Sequence, residues 1–493
     1  MNDRRIAIAA GNGPASHAAS EVARAGGNAV DACLAAAITS WVAEPFYASL
    51  GGSGFVAVRS PDGDVEVIDG NTAVCSGVHS VRPPRRIFLP YSNGVHTGVG
   101  GPSVAVPGVL AALRLAWERH GSIGWPALFA HAIAAARDGI PLPRPSAYYL
   151  SLTWEPLWSS YPEARQLFGA DRPLSEGDPL VQTRLGDVLE EAARAGAAVL
   201  SEGSLGRAIA TAVERDGGAL SADDLARYRA DVRPPVRADV WGWVVESNPL
   251  PALGGTLVAA MLSSMSRARL DDPAARLRAL VAAERAVLDV RAARRAEDPA
   301  DIGDASDGGP VSGRAARSPS TTHSSAADSD GLVCAVTQSM GYGSGLVVEG
   351  VLLNNTLGEE ELHPLDDDGP RPGERCHSNM APTIASGGGR VVGLGSPGAE
   401  RIVGAIAQTI VALAVDDASL QAAVESPRAH LVVEPEEVLC LEPGLPGKAA
   451  GLPVRVFDGL HQYFGGVQAA SVDDAGSVEA AHDPRRAGAS AVV

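Results

Sequence analysis

Apolar residues in the first part of the chain recur every three or four positions, which is the spacing of helices packed on one face. Residues 15–43 form an alanine-rich stretch of this kind, and Gly26-Gly27 predicts a break within it. The same spacing predicts amphipathic helices over Gly108–His120 and Trp125–Asp138. Ser221, followed by two aspartates, is typical of a capped helix start.

Shorter apolar runs bounded by turn residues predict strands, and they dominate the last third of the chain. The predicted strands are Val56–Arg59, Val65–Asp69, a run opening at Thr321, Gly331–Gln338, Gly345–Asn354, and Thr383–Gly393 with a glycine turn. A long helix is predicted from about Ala399 to Val415. Strands followed by helices predict layered α/β packing, and no internal repeat is present.

The segment from about Arg291 to Ser320 differs from its surroundings. It is rich in Ala, Asp, Gly, Ser, Arg and Pro, and its few apolar residues have no period. Such a composition predicts a mobile linker. The length of 493 residues is compatible with two or three domains or with one large α/β domain.

Charge, cysteine content and the lack of certain motifs restrict the binding partners and the compartment that the sequence predicts. The net charge of −18 argues against nucleic acid and anionic membrane as partners. The five cysteines are scattered, with no CxxC spacing, and fit a reducing compartment. The first residues lack a long apolar signal segment, and no stretch reaches 18 uninterrupted apolar residues, so we expect a soluble, cytoplasmic protein. Without HExxH or a Cys/His cluster, we expect no metal.

The stretch Thr321-Thr322-His323-Ser324-Ser325 opens a strand directly after the linker. A threonine there becomes a catalyst if the backbone is cut just before it. The freed α-amino group, with a pKa of about 7.7–8.0, is a base on the same residue as the hydroxyl that it must deprotonate. The alternative interpretation is a polar turn leading into a strand.

Gly393 to Gly398 fits GxGxxG between a predicted strand and a predicted helix, which raises a dinucleotide-binding oxidoreductase as an alternative. No second strand ending in Asp or Glu follows about twenty residues later, and this argues against a nucleotide cofactor. Backbone N–H groups at such a turn can instead hold a developing anion, including the oxyanion of acyl transfer.

Other polar residues have two interpretations each. His323 is a general base or a structural hydrogen-bonding residue. Ser324, His430 and Asp483 can be combined into a triad, but no GxSxG turn supports one. The acidic run 359–361 is a solvated surface, or one of its members faces a cleft.

Together these stretches resemble the γ-glutamyltransferase family of N-terminal-nucleophile hydrolases, over nearly the whole chain and in order. The matching stretches are Gly26–Ala32, Glu44-Pro45, Gly51–Phe55, Ser103–Gly108, Asp223–Tyr228, Thr321–Ser325 with Asp330-Gly331, Gly350–Asn355 and Ser396–Ile402. The resemblance implies a four-layer αββα sandwich, made as a precursor that cuts its own Ser320–Thr321 bond. A large subunit (1–320) and a small subunit (321–493) would then form one heterodimer.

The resemblance also implies the catalytic roles. The hydroxyl of Thr321 would attack a carbonyl carbon and form an acyl-enzyme, which water or an acceptor amine would resolve. Ser339 matches a hydroxyl residue that hydrogen-bonds the nucleophile. The N–H groups of Gly398 and Ala399 would form the oxyanion hole. The substrate would be a small acylated amine or amino-acid derivative, and no cofactor is implied.

The chain departs from the family pattern where the substrate is held. The family arginine that grips the α-carboxylate of the glutamyl group is matched by Asn71. Positions that hold the α-amino group fall on Gly341, Thr356 and Glu359, and Glu359 alone keeps a comparable charge. Of two paired serines, Ser378 remains and its neighbour is Asn379. A nearby loop arginine is a possible substitute for the missing one: Arg82, Arg85, Arg86, Arg371 or Arg375.

Three functions remain open at this point. One is hydrolysis or transfer of a γ-glutamyl-like or related small acyl group. A second is a role in an antibiotic pathway of the alkylproline type, where divergent family members are thought to cleave a C–C bond beside a ketone. A third is an unprocessed relative that binds ligands without catalysis.

Overall fold

A computed structural model describes residues 4–90, 94–296, 321–359, 371–433 and 436–493. Its helices, in chain order, are α1 Gly13–Arg24, α2 Ala29–Ala43, α3 Val109–His120, α4 Ala130–Asp138, α5 Arg144–Thr153, α6 Pro162–Phe168, α7 Thr183–Ala195, α8 Ala198–Ser201, α9 Ser204–Arg215, α10 Ala222–Arg227, α11 Leu253–Met265, α12 Pro273–Ala296, α13 Arg401–Ala414 and α14 Leu420–Glu425.

The strands, in chain order, are β1 Ile6–Ala10, β2 Ser53–Arg59, β3 Val65–Gly70, β4 Arg85–Leu89, β5 Val95–Val99, β6 Ile140–Pro141, β7 Pro179–Leu180, β8 Asp231–Arg233, β9 Val236–Val240, β10 Trp243–Ser247, β11 Thr321–Asp328, β12 Val333–Ser339, β13 Val347–Val348, β14 Val351–Leu352, β15 Thr383–Gly387, β16 Arg390–Gly395, β17 Ala429–Val432, β18 Val438–Leu441, β19 Val454–Val456, β20 Gln468–Asp473, β21 Val478–His482 and β22 Ala489–Val492.

Two large antiparallel sheets stack face to face. The first has the strand order β22-β1-β11-β12-β2-β3-β8, and the second has the order β21-β20-β16-β15-β10-β9. Alternate residues of each strand face opposite sides of its sheet. In β11 and β12, Ala327, Val333 and Ala335 pack with Ile384 and Ala470 of the second sheet and fill the space between the sheets.

Helices cover both outer faces. Helices α1, α2 and α3 pack on the outer side of the first sheet, where Ala326, Cys334 and Val336 meet the alanine-rich α2, and α4 packs on α2. Helices α11 and α13 pack on the second sheet, where Val392 and Leu394 belong to the shared core, and α12 packs on α11. The layers therefore run helix, sheet, sheet, helix, and the four-layer αββα sandwich predicted from the sequence is confirmed.

The local predictions for helices and turns are mostly confirmed. The stretch 15–43 is α1 and α2, which are separated by the predicted break at Gly26-Gly27. Ser221 caps α10 in a capping box with Asp224. The predicted helix from Trp125 begins as a 3-10 turn, Trp125–Phe129, before α4.

Two element predictions are wrong in extent. Gly345–Asn354 is not one strand but a hairpin of β13 and β14, because Glu349 and Gly350 both have positive φ and reverse the chain in two residues. The linker does not begin at Arg291, because α12 continues to Ala296. The sequence there contains alanine and arginine, which are strong helix formers. The rest of the predicted linker, 297–320, lies outside the described residues.

In the described part of the chain, the helices are too short or too polar to span a membrane.

Candidate active site

Three hydroxyl side chains lie side by side at the ends of three neighbouring strands. Thr321, the first residue of β11, is paired with Ser339 of β12, and Ser339 is paired with Ser53 of β2. Directly paired residues of antiparallel strands have their side chains on the same face. The alternation along β11 and β12 turns this face toward the second sheet, with Thr321 5% exposed. Thr321 and Ser339 are therefore brought together as predicted.

A small pocket of about 30 Å³ opens at this point between the sheets. Most of the predicted site residues line it, and these are Asn71, Thr321, Ser339, Gly341, Thr356, Glu359, Ser378, Asn379 and Ala399. They come from six separate stretches of sequence, which the fold alone brings together. Such a volume is enough for about two water molecules, so it suits the reacting group of a substrate rather than a whole substrate.

The turn before α13 supplies the candidate oxyanion hole. Gly398 has a φ of 147° and Ala399 a φ of 50°, which is unusual for a residue with a side chain. Among the described residues, no acceptor is recorded for the N–H of either one. A turn with two unpaired N–H groups beside a hydroxyl is the arrangement needed to bind an oxyanion.

The glycine motif 393–398 does not form a nucleotide site. Gly393 and Gly395 lie inside β16, whose neighbours β15 and β20 are both antiparallel to it, whereas a dinucleotide fold needs parallel strands. A Cβ at Gly395 would overlap the ring of His323, so glycine here lets the two sheets approach each other. The GxGxxG spacing arises from sheet packing at Gly393 and Gly395, followed by the turn 396–399, which we call the oxyanion turn because it is the candidate oxyanion hole.

A loop from the end of the chain supports this turn from behind, and the sequence interpretation missed it. The N–H of Gly466 donates to Ser396 Oγ at 3.0 Å, and Ser396 Oγ donates to the carbonyl oxygen of Pro397 at 2.7 Å. Gly465 has a φ of 91°, and a Cβ there would contact Ser396 Oγ. The glycine pair beside Phe464 was a signal for a close backbone approach.

Four buried charges hold this loop in place. Asp483 forms ion pairs with Arg428 at 2.8 Å and Arg485 at 3.0 Å, and Arg485 Nε donates to Glu442 at 2.7 Å. Asp483 also accepts from the N–H of Val467 at 2.9 Å, and Arg428 donates to the carbonyl oxygen of Phe464 at 3.1 Å. Burial opposes ionisation of Asp483, but the two arginines outweigh it and hold its pKa below the ordinary value.

These contacts exclude the hypothetical triad. Asp483 is occupied by two arginines, and His430 Nδ1 contacts Glu284 at 3.4 Å. Ser324 faces the helix layer, on the side of β11 opposite Thr321. The three residues therefore belong to different parts of the molecule.

Glu359 provides a negative charge at one wall of the pocket. It is 8% exposed, so the interpretation of this position as solvated surface is wrong; residues 360–361 lie outside the described residues. Gly341 has a φ of 66°, and a Cβ there would overlap the Glu359 carboxylate. Asn355 fixes the same wall, because its Oδ1 accepts from the N–H groups of Tyr342 and Gly343.

Another part of the pocket lining carries Asn71, at the position that matches the family arginine. Asn71 is 2% exposed; its N–H donates to Asp69, and its Nδ2 donates to the carbonyl oxygen of Cys376. Ser378 Oγ accepts from the N–H of Met380 at 3.2 Å, which fixes the segment that includes Asn379. This wall is therefore built of neutral amide and hydroxyl groups.

The proposed substitute arginines do not replace the missing one in the pocket. The pocket-lining residues that the structure describes include none of Arg82, Arg85, Arg86, Arg371 and Arg375. Arg375 contacts Asn71 without lining the pocket, because its guanidinium donates to the Asn71 carbonyl oxygen at 3.4 Å. Its guanidinium lies 4.2 Å from the ring centre of Tyr228.

His323 is a structural residue. It faces the space between the sheets, 1% exposed, with Nδ1 2.8 Å from Thr337 Oγ1 and Nε2 2.8 Å from Ser325 Oγ. Burial lowers its pKa to about 3, so the ring stays neutral and cannot serve as a general base near neutral pH.

This lowered pKa predicts a pH dependence of stability. The unfolded chain binds a proton at His323 below about pH 6.5, whereas the folded protein binds it only near pH 3, so the free energy of unfolding falls as the pH drops between these values. We expect this residue to contribute a slope of up to about 1.4 kcal/mol per pH unit. Chemical denaturation of wild type and His323→Gln at pH 4.5 to 7.5 measures it. Parallel pH curves for the two proteins would contradict the prediction.

The four-layer fold, with Thr321 at the start of β11, is compatible with a hydrolase of the N-terminal-nucleophile class. A family model described as Gamma-glutamyltranspeptidase matches residues 15–307 and 294–493. The chain therefore belongs to the gamma-glutamyltranspeptidase family, and it is an enzyme of that family rather than a non-catalytic relative.

Individual relatives agree with this assignment. The chain is 27% identical over 518 residues to the glutathione hydrolase proenzyme of Escherichia coli (strain K12), covering 94% of this chain and 88% of that protein. It is 30% identical over 465 residues to the acylase ACY 1 proenzyme of Pseudomonas sp. (strain SE83), covering 86% and 83%. The cephalosporin acylase from Bacillus halodurans has the same fold, with a TM-score of 0.80, 22% identity, and coverage of 99% and 96%.

Proposed function

We propose that the chain is a precursor that cuts its own Ser320–Thr321 bond, and that segments 1–320 and 321–493 remain together as a heterodimer. The placement of Thr321 as the first residue of β11, with its side chain in the pocket, carries this proposal. The names of the relatives add support, because those proteins are described as proenzymes. A cytoplasmic location stays a prediction, and the five cysteines, all free and buried, are compatible with it.

In the mature enzyme, the freed α-amino group of Thr321 takes the proton from the hydroxyl of the same residue. The hydroxyl oxygen attacks the carbonyl carbon of an amide, and the N–H groups of Gly398 and Ala399 hold the oxyanion. One such donor contributes about 2.7–4 kcal/mol to transition-state binding. Ser339 orients the nucleophile. The amine leaves with a proton, and water or another amine then releases the acyl group.

We propose that the acyl group is small and resembles γ-glutamyl but needs no α-carboxylate. The buried Glu359 suits the ammonium of an amino-acyl group, whereas the pocket lining, as far as the described residues show it, contains Asn71 and no lysine or arginine for a carboxylate. Losing one member of a buried ion pair costs roughly 3–5 kcal/mol, which is far more than a neutral amide restores. Thr356, Ser378 and Asn379 complete the wall with hydrogen-bonding groups.

Three p-nitroanilides test this specificity: γ-glutamyl, 4-aminobutanoyl, which lacks the α-carboxylate, and glutaryl, which lacks the amino group. We expect kcat/KM of the first two to agree within about tenfold, and glutaryl to be at least about tenfold poorer than either. Intact mass of the acid-quenched enzyme should show the acyl adduct on the fragment that begins with Thr321. A preference above a hundredfold for γ-glutamyl would mean that a carboxylate clamp exists, and an adduct elsewhere would refute the nucleophile.

A further inference from the structure

A second, larger cavity adjoins the catalytic pocket. It has a volume of about 820 Å³ and lies between the segments 224–233 and 373–377. His377 lines both cavities, and Asn71 forms part of the wall between them, since its side chain lines the pocket while its carbonyl oxygen contacts Arg375. A volume of this size is typical of small-molecule sites. The half of a substrate that the pocket cannot hold therefore has a place beside it.

Four arginines line this cavity, which we call the arginine cleft: Arg227, Arg229, Arg233 and Arg375. Three of them have carboxylate neighbours. Arg227 pairs with Asp224 at 3.2 Å, Arg233 pairs with the buried Asp69 at 2.8 Å, and Arg375 lies 3.7 Å from the same aspartate. Asp224, Asp231 and Glu374 also line the cleft, so carboxylates balance most of the arginine charge there.

Arg229 is the exception among these four. Its Nη1 donates to the carbonyl oxygens of Ala226 and Tyr228, both at 2.7 Å. No carboxylate within 4 Å, and no acceptor for Nε or Nη2, is recorded for it among the described residues. Backbone carbonyls thus fix one end of the guanidinium while its charge stays uncompensated. Such a planar, held cation with two free donors suits a carboxylate bound through both oxygens.

We propose that the arginine cleft binds the amine half of the substrate, that this half carries a carboxylate, and that Arg229 binds it. This proposal rests on the acyl chemistry at Thr321 proposed above. In cleavage, the C–N bond breaks and the amine leaves into the cleft with one proton. In transfer, the free amine of such a molecule attacks the Thr321 ester, a C–N bond forms, the C–O bond to Thr321 breaks, and the proton of the amine returns to the catalytic residue.

Two substrates that differ only in the carboxylate measure its contribution to binding apart from that of the rest of the amine half. We compare 4-aminobutanoyl-alanine with 4-aminobutanoyl-alaninamide, using kcat/KM of the processed wild type and of Arg229→Gln. We expect Arg229→Gln to lower the acid-to-amide ratio of kcat/KM by at least about tenfold, through KM for the acid. Arg229→Lys, which keeps the charge, should restore part of the ratio.

Arg207→Gln is the matched control. Arg207 is also exposed and also donates to a carbonyl oxygen, that of Glu202, but it is not among the residues that line the cleft. An unchanged ratio in Arg229→Gln, or an equal loss in Arg207→Gln, would overturn the assignment of the carboxylate to Arg229. If the p-nitroanilides leave no adduct on Thr321, the proposed function itself fails and this proposal fails with it. If hydrolysis proceeds through Thr321 but Arg229→Gln leaves the acid-to-amide ratio unchanged, the role of the arginine cleft is refuted and the proposed function of Thr321 stands.

Discussion

Thr321→Ala should leave a single full-length polypeptide with no acyl adduct and no measurable amide hydrolysis. In the proposed mechanism, the variant lacks the hydroxyl that attacks the Ser320–Thr321 bond in the precursor and the substrate in the mature enzyme. Removing a catalytic nucleophile commonly costs roughly 10⁴-fold or more in rate. The side chain lies at the end of β11 and its removal takes away few atoms, so we expect the fold to persist.

Denaturing electrophoresis and N-terminal sequencing measure the outcome. Wild type should give two bands, with the smaller one beginning at Thr321. Thr321→Ser is the matched control, because it keeps a hydroxyl at the same atom, and it should still divide, although more slowly. Cleavage of Thr321→Ala at the same bond would refute Thr321 as the nucleophile. A smaller wild-type fragment that begins at another residue would show that the cleavage site lies elsewhere.

Local sequence predicted the elements whose cause is local. The break at Gly26-Gly27 and the capping box at Ser221 depend on residues within one helical turn, and both are present in the structure. The hairpin at Glu349-Gly350 was missed because glutamate seldom adopts a positive φ. Its only signal was an acidic residue and a glycine between valines, a weaker form of the usual Asp-Gly turn.

Prediction of the site residues needed more than local sequence patterns, because residues from distant strands form the site. Pairing of Thr321 with Ser339 and of Ser339 with Ser53 is set by strand register across a sheet, and family resemblance supplied it for Ser339 alone. The acidic run left Glu359 open between a solvated surface and a cleft, and the fold buries it against Gly341. Composition describes a segment, whereas burial depends on what packs against it from elsewhere.

The buried ion pairs behind the oxyanion turn lead to the second large effect. Asp483→Asn should lower the free energy of unfolding by about 3–5 kcal/mol, because it leaves Arg428 buried without its nearest counter-charge. Asparagine has almost the same shape and can still accept from the N–H of Val467, so the loss reports charge rather than volume. Since the loop from Phe464 to Val467 supports Ser396, we also expect a lower kcat.

Urea denaturation of wild type and Asp483→Asn at pH 7 measures the difference in the free energy of unfolding, and Asp239→Asn is the control. Asp239 pairs with Arg237 at 2.7 Å on the exposed surface, where solvent screens the attraction and the pair has little effect on stability. The pKa of Asp483 is lowered in the folded protein, so its contribution is complete above the ordinary value of about 3.9 and is lost as the pH falls through the lower folded value. The gap between wild type and Asp483→Asn should therefore narrow only below about pH 4. A gap no larger than that of the control at pH 7 would mean that the arginines are neutralised by other groups, and that the loop under the oxyanion turn does not depend on this aspartate.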